Sequence, residues 1–225
     1  MKACVIIPTF NESRTIAGLV REIRGLGLDV LVIDDGSDDP SALLAQKGGA
    51  TVLRNDANQG KGVSLNRGFR YALKKGFDAV ITMDGDGQHL PSDIPQFVQL
   101  AASSDTGIFI GNRMQKLDCM PRLRRLTNKL MSWFISKIVR QDIPDSQCGF
   151  RLLKKSLLEK LELTSRKYET ESEVLIKASR LGCRIISIPI QTVYSGEKSQ
   201  INPVVDTLRF FRFIVKELLL SRPKR

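Results

Sequence analysis

Asp84 and Asp86 stand one residue apart in Met83-Asp84-Gly85-Asp86-Gly87-Gln88-His89, directly after the apolar run Val80-Ile81-Thr82. In an extended segment residues i and i+2 project to the same side, so both carboxylates can approach one ion. Gly85 and Gly87 permit a tight turn and the close approach of a bulky ligand. No Lys or Arg adjoins the pair in sequence, which leaves a divalent cation as the natural counter-charge. Oxygen ligands favour Mg²⁺ or Mn²⁺, and Mg²⁺ is typically held by one or two carboxylates plus substrate phosphates. A solvated Asp-Gly turn would carry the same residues, so the surrounding elements have to decide.

Those elements alternate. Ala3-Cys4-Val5-Ile6-Ile7 is an apolar run, stopped by Pro8, as a first central strand would be. Ile16, Leu19, Val20, Ile23 and Leu26 recur at helical spacing after Asn11, an expected N-cap. Val30-Leu31-Val32-Ile33 predicts a second buried strand, ending in Asp34-Asp35-Gly36-Ser37. A helix over 41–47, a weak strand over 51–53 and a helix over about 62–75 lead to the strand before Asp84. A helix over about 92–102 and a strand over 107–110 follow. This rhythm predicts an α/β fold with a mostly parallel, doubly wound sheet and helices on both faces. Pro8-Thr9-Phe10-Asn11-Glu12, Asp34-Asp35-Gly36-Ser37 and Asp84-Gly85-Asp86 then share one edge, where open α/β sheets bind ligands.

The bulk composition narrows the class. With 225 residues, 42% hydrophobic and 26% charged, the chain can bury a core and is not globally disordered. The net charge of +11 is unevenly placed: residues 1–112 carry 11 Lys and Arg against 13 Asp and Glu, residues 113–225 carry 24 against 11. Such a basic half points to a polyanion, whether nucleic acid, anionic lipid or a phosphorylated substrate. Cys4, Cys119, Cys148 and Cys183 are scattered, which fits a reducing compartment and neither a zinc framework nor a disulfide scaffold. No signal-peptide pattern and no run of about 18 apolar residues occur, so a cytosolic or membrane-surface location is expected.

Residues 122–140 are strongly basic, with Leu123, Leu126, Leu130, Phe134 and Ile138 in one stripe and Trp133 beside it. That pattern suits an interfacial helix or a surface helix docked on the core. Asp145-Ser146-Gln147-Cys148-Gly149-Phe150-Arg151 reads as a loop, followed by a helix over about 171–181 and a strand over 184–190. After Pro203, Leu208, Phe211, Ile214, Val215 and Leu218 recur at helical spacing among Arg209, Arg212 and Lys216, a second candidate membrane-surface helix.

Several nucleotide users are excluded. G-x-x-x-x-G-K-[ST] is absent, and Gly60-Lys61-Gly62 is too short a glycine loop. No G-x-G-x-x-G follows the first strand, where Pro8-Thr9-Phe10-Asn11-Glu12 stands instead. A metal-dependent user of a nucleotide diphosphate remains, with side chains around the base and ribose.

Six motifs in order resemble the family 2 glycosyltransferases. They are Val5-Ile6-Ile7-Pro8-Thr9-Phe10-Asn11-Glu12, Asp34-Asp35-Gly36-Ser37, Asn58-Gln59-Gly60-Lys61-Gly62, Met83 to His89, Ile110-Gly111-Asn112-Arg113 and Asp145 to Arg151. Within that family the chain most resembles the dolichol-phosphate (polyprenyl-phosphate) mannosyltransferase-like branch, over about residues 3–195. The resemblance implies a GT-A fold, a catalytic domain over 1–200 and a basic amphipathic helix and tail over 201–225. It implies an inverting, metal-dependent transfer from a UDP- or GDP-linked sugar to an acceptor, a polyprenyl phosphate foremost. Pro8, Phe10 and Glu12 would shape the nucleotide pocket, Asp35 would meet base or ribose, and Lys61 would lie near the nucleotide unless it is a solvated loop lysine. Asp84, Asp86 and Gln88 would hold Mg²⁺ or Mn²⁺.

Arg113 and Lys129 would meet the acceptor phosphate, with Gly149 and Arg151 in the acceptor loop. Asp145 would be the base for a neutral hydroxyl acceptor, or else a cap or turn residue. His89 is expected to be structural or surface-exposed. The family's Arg followed by G-x-S-K is only loosely matched by Tyr194-Ser195-Gly196-Glu197-Lys198-Ser199-Gln200, where Lys198 could substitute. The expected place is the cytoplasmic face of a membrane, held by the basic helices or a membrane partner protein. Transfer to a saccharide or protein hydroxyl, a nucleic-acid-binding module and a non-catalytic relative are the alternatives. No base-reading motif or stacking aromatics support nucleic acid, which is therefore not expected as a partner.

Overall fold

The computed structural model describes residues 1–115, 122–167, 169–193, 209–215 and 217. The expected alternation is present. β1 (Ala3–Thr9), α1 (Ile16–Gly25), β2 (Asp29–Asp34), α2 (Ser41–Lys47), β3 (Thr51–Arg54), α3 (Lys61–Lys74) and β4 (Ala79–Thr82) form the first half. A 3₁₀ turn (Pro91–Asp93), α4 (Ile94–Ala102), β5 (Ile108–Asn112), α5 (Arg122–Val139), β6 (Arg151–Lys154), α6 (Lys155–Leu158), α7 (Thr170–Arg180) and β7 (Ile185–Pro189) follow.

The strands make one seven-stranded sheet in the order β3-β2-β1-β4-β6-β5-β7. β1 pairs in parallel with β2 and β4, β2 with β3, and β5 with β7. β6 is antiparallel to both β4 and β5, so those two point the same way. Period-two alternation splits the core between the two faces of the sheet. Cys4 and Ile6 of β1 pack with Leu65 and Phe69 of α3, Ile135 of α5 and Leu175 of α7. Val5 and Ile7 pack with Ile16 and Ile23 of α1 and Phe97 of α4.

Four local expectations are corrected. β1 runs through Pro8 to Thr9 because pairing with β4 ends at Ile6–Thr82, so no neighbour on that side needs the missing N–H. Asn11 is not the cap of α1. It adopts a φ of 58° and its Oδ1 accepts the N–H of Asp38 at 2.9 Å, while the helix starts at Ile16. Four-residue β6, with only Leu152 and Leu153 apolar, carries too little alternation to be read as a strand. The stripe expected on α5 divides: Phe134 and Ile138 pack on the core, whereas Leu123, Leu126, Leu130 and Trp133 stay 44–65% exposed.

Residues 209–215 are helical, and Phe210, Phe213 and Ile214 join the core beside α5 and α7. Phe211 meets Phe134 of α5 edge to face at 5.2 Å. Leu208, Leu218 and the 194–200 segment with Lys198 lie outside the described residues.

Helix-to-sheet packing gives a stability test. A Cβ at Gly68 of α3 would stand 2.7 Å from Ile6 Cγ2 in the core, whereas one at Gly18 of α1 would meet nothing within 4 Å. Overpacking typically costs about 1–3 kcal/mol, more than the roughly 1 kcal/mol of helix propensity gained from Gly to Ala. Urea denaturation should show Gly68→Ala less stable than wild type, and Gly18→Ala more stable by up to about 1 kcal/mol.

Candidate active site

The polar clusters converge on the edge where the parallel strands end, and β6, running the other way, begins there with Arg151 opposite Thr82 and Ile110. Asp84, Asp86 and Gln88 are half-buried on the turn after β4. The Gln88 N–H donates to Asp86 Oδ1 at 3.0 Å. The Thr15 hydroxyl donates to the Gly85 carbonyl at 2.6 Å, tying this turn to the β1–α1 connection. A Cβ at Gly85 would lie 3.3 Å from Glu12 Cγ, so Glu12 adjoins the acidic turn. Pro8 and Phe10 are half-buried at the end of β1.

Asp84 has a basic partner that no sequence neighbour provides. Lys61 Nζ lies 2.5 Å from Asp84 Oδ1 and 2.6 Å from Glu171 Oε1. Lys61 opens α3 after Gly60, whose φ of 97° an L side chain rarely adopts. Asp35, expected at the base or ribose, fastens this loop. Its Oδ1 accepts the Asn55 amide at 2.6 Å and the Gln59 N–H at 3.1 Å, and its Oδ2 accepts the Gly60 N–H at 2.7 Å. Burial opposes ionisation of both Lys61 and Asp84, and their mutual attraction more than offsets it. The ammonium is held above its ordinary range and the Asp84 carboxyl below its own.

Asp86 is different. Burial and the neighbouring Asp84 charge both push its carboxyl up. Two crowded carboxylates, one of them disfavoured as an anion, suit a divalent cation, and with the Gln88 amide they form an all-oxygen donor set. Among the described residues no three His, Cys, Asp or Glu side chains group as metal ligands. The protein therefore offers a partial shell, the arrangement in which Mg²⁺ takes up substrate phosphates.

Arg113 follows β5 and is buried against Asp145. Nε and Nη2 donate to the two carboxylate oxygens at 2.7 and 2.9 Å, and the Arg113 N–H adds a 3.1 Å bond. Asn128 of α5 donates to Asp145 Oδ1 at 2.9 Å. Asp145 is fully buried with both oxygens taken, and although burial opposes it, the guanidinium holds its carboxyl low. It is thus arranged as a clamp on Arg113, without the open oxygen a base needs.

Arg151 is also buried, and donates to the backbone carbonyls of Cys148, Glu171 and Ser146 at 2.6–2.8 Å. Those contacts fix the 146–148 loop to the first turn of α7, a framework role. Gly149 does sit in the site: a Cβ there would lie 2.7 Å from Asp84 Oδ2 and 2.9 Å from Lys61 Nζ. Lys129 is not brought to the carboxylates. It lines an exposed groove of about 600 Å³ with Trp133, Lys137 and Arg140. His89 is buried against Phe150 with Nε2 3.9 Å from Cys148 Sγ, and burial lowers its pKa to about 4. It is a neutral core residue.

Glu171 was missed in the sequence. It shares the buried face of α7 with Val174, Leu175 and Ala178, and an acid at i, i+3, i+4, i+7 spacing with apolar residues was the available signal.

Comparison with known proteins agrees with this geometry. Residues 4–162 match the glycosyl transferase family 2. A UDP-N-acetylglucosamine–dolichyl-phosphate N-acetylglucosaminyltransferase of Methanococcus voltae is 28% identical over 85% of this chain and 85% of its own. An undecaprenyl-phosphate mannosyltransferase of Micrococcus luteus is 28% identical over 86% of this chain and 84% of its own. Among solved structures, glucosyl-3-phosphoglycerate synthase of Mycobacterium tuberculosis, in complex with Mn²⁺, UDP and glucosyl-3-phosphoglycerate, superposes with a TM-score of 0.76 at 19% identity, over 97% of this chain and 78% of that one. The chain therefore belongs to glycosyl transferase family 2 and is a glycosyltransferase of the GT-A fold.

Proposed function

We propose that this enzyme transfers a sugar from a nucleotide-diphospho-sugar to a polyprenyl phosphate, with inversion at the anomeric carbon and a Mg²⁺ or Mn²⁺ requirement. The carrying observation is the acidic turn, Asp84 and Asp86, on the ligand-binding edge of the sheet with Lys61 and Gly149 against it. Asp84, Asp86 and Gln88 would hold the ion, which when bound supplies Lewis-acid neutralisation of the departing diphosphate. Glu12 borders the same turn, and with Pro8 and Phe10 at the end of β1 it is assigned to the nucleotide pocket. Asp35 acts there through the loop that aims Lys61.

The state of Asp145 favours a phosphate acceptor. A hydroxyl acceptor needs a base, and Asp145 is closed off by Arg113 and Asn128. A phosphate oxygen is already ionised near neutral pH, so positioning and charge neutralisation suffice. Arg113, held rigidly by its bidentate clamp, is the group we assign to the acceptor phosphate. Both relatives named above that act on lipid-linked phosphates support the same class.

Such an acceptor lies at a membrane. Among the described residues no helix is long and apolar enough to cross one. α5 offers the peripheral alternative: exposed Leu123, Leu126, Leu130 and Trp133 lie on a segment, 122–140, that holds six Lys and Arg and no Asp or Glu. Lys129 belongs to this face. We assign the enzyme to the cytoplasmic face, bound there directly or with a membrane partner protein.

Two experiments test this reading. Calorimetric titration with UDP and GDP, each with and without Mn²⁺, should show metal-dependent binding of one nucleotide. Asp84→Asn should weaken that binding at least about tenfold. Equal binding by wild type and mutant, or binding indifferent to metal, would overturn the donor-site assignment. Separately, Leu126→Glu with Trp133→Glu should reduce sedimentation with phosphatidylglycerol vesicles while leaving nucleotide binding intact. Unchanged sedimentation would remove α5 as the membrane contact.

A further inference from the structure

The ion cluster at Lys61 contains more acid than the donor site accounts for. Glu171 comes from the first turn of α7, far along the chain from both Lys61 and Asp84, and is 5% exposed. Its Oε1 lies 2.6 Å from Lys61 Nζ, while its Oε2 is buried with no hydrogen-bond partner. Arg151, close by, donates to the Glu171 backbone carbonyl. Two carboxylates, Asp84 and Glu171, thus share one ammonium. Glu171 lies in the first turn of α7, where a helix N-terminus favours a negative charge.

We propose that Glu171 is a positioning residue that receives the Lys61 ammonium when Asp84 turns to a divalent cation. The inference rests on the assignment of Asp84 as a metal ligand. Lys61 and a cation at Asp84 and Asp86 compete for the same carboxylate, and two like charges side by side repel strongly in a buried site. The ammonium must therefore leave Asp84, and in a buried site it needs another anion to go to. Glu171 already holds it and has a second, unpaired oxygen to offer. Lysine suits this exchange, being a point charge on a flexible stem that can turn between two anions without a fixed fork geometry. Gly149 keeps the space for it, since any Cβ there would press on both Lys61 Nζ and Asp84 Oδ2. Without the Glu171 charge, Lys61 has Asp84 as its remaining anion and opposes metal binding more strongly.

The test is a double-mutant cycle read on metal affinity alone, using electron paramagnetic resonance of free Mn²⁺ in the absence of nucleotide. Wild type, Glu171→Gln, Lys61→Met and the double variant are compared after circular dichroism and thermal unfolding establish that each is folded. Glu171→Gln should weaken Mn²⁺ binding about tenfold, within the range of typical site-to-site coupling. In the Lys61→Met background, with no ammonium left to displace, the same change should matter less than about twofold. Glu171→Asp, which keeps the charge, should restore most of the affinity. An equal loss in both backgrounds would mean that Glu171 attracts the ion through space, and no loss in either would mean that it is irrelevant. Either result overturns the proposal alone. If Asp84→Asn binds Mn²⁺ as well as wild type does, the metal-site assignment falls and the proposal with it. Should Glu171→Gln fail to fold, Glu171→Ala in both Lys61 backgrounds still decides: an equal loss in both, or no loss in either, would contradict the exchange.

Discussion

Lys61 places one ammonium between carboxylates that come from opposite halves of the chain, Asp84 after β4 and Glu171 on α7. A buried charge without a partner is costly enough that it neutralises or restructures its surroundings. Each of the three groups is therefore tolerable only where the other two are correctly placed, and much of the surrounding architecture serves that placement. Asp35 fastens the loop that starts α3. Arg151 fastens the first turn of α7 to the loop before β6. Thr15 fastens the acidic turn to the β1–α1 connection. Several of the polar side chains read as ligand contacts from their motifs turn out to hold the backbone that carries the contacts.

The antiparallel strand makes the arrangement possible. In a wholly parallel sheet every residue on the ligand edge follows a strand, and the chain then leaves for a helix. β6 enters from that edge, so the loop before it can cross the site and present Gly149 against Asp84 while Arg151 anchors the strand's first residue. Insertion of β6 between β4 and β5 also separates the acidic turn from Arg113 by one strand width, about 5 Å on each side. Under the proposed function, that spacing would leave room between the acidic turn and the guanidinium for the reacting groups.

Much of this was legible before any coordinates. β1, β2 and β4 are continuous apolar runs because they are buried on both faces, and each ends in the polar cluster that marks the ligand edge. The Asp84–Asp86 spacing pointed to the acidic turn, and the apolar strand before it placed that turn on the ligand edge. The failures share a cause, which is that the deciding contact is distant in sequence. Nothing near Lys61 announces Glu171, and nothing near Asp145 announces Arg113 or Asn128. Pro8 looked like a stop because its tolerance depends on where the neighbouring strand ends. The α5 stripe was read as one surface, yet Phe134 and Ile138 turn to a core completed by Phe211 of the C-terminal helix.

The two buried ion pairs of the site differ in a way that their chemistry explains. Arg113 and Asp145 meet through a bidentate fork with a further backbone bond, a geometry that loses much if either partner rotates. Buried pairs of this kind add little net stability over apolar packing, since desolvation offsets attraction, but breaking one is expensive. Such a pair is well suited to keeping a guanidinium in one orientation. Lys61 makes single contacts to two anions, so moving toward one while leaving the other keeps the ammonium paired throughout. A rigid clamp beside an exchangeable one is what a two-substrate site requires. Under the proposed function, the acceptor charge would be met in a fixed place, while the acidic turn would change partners as the donor arrives.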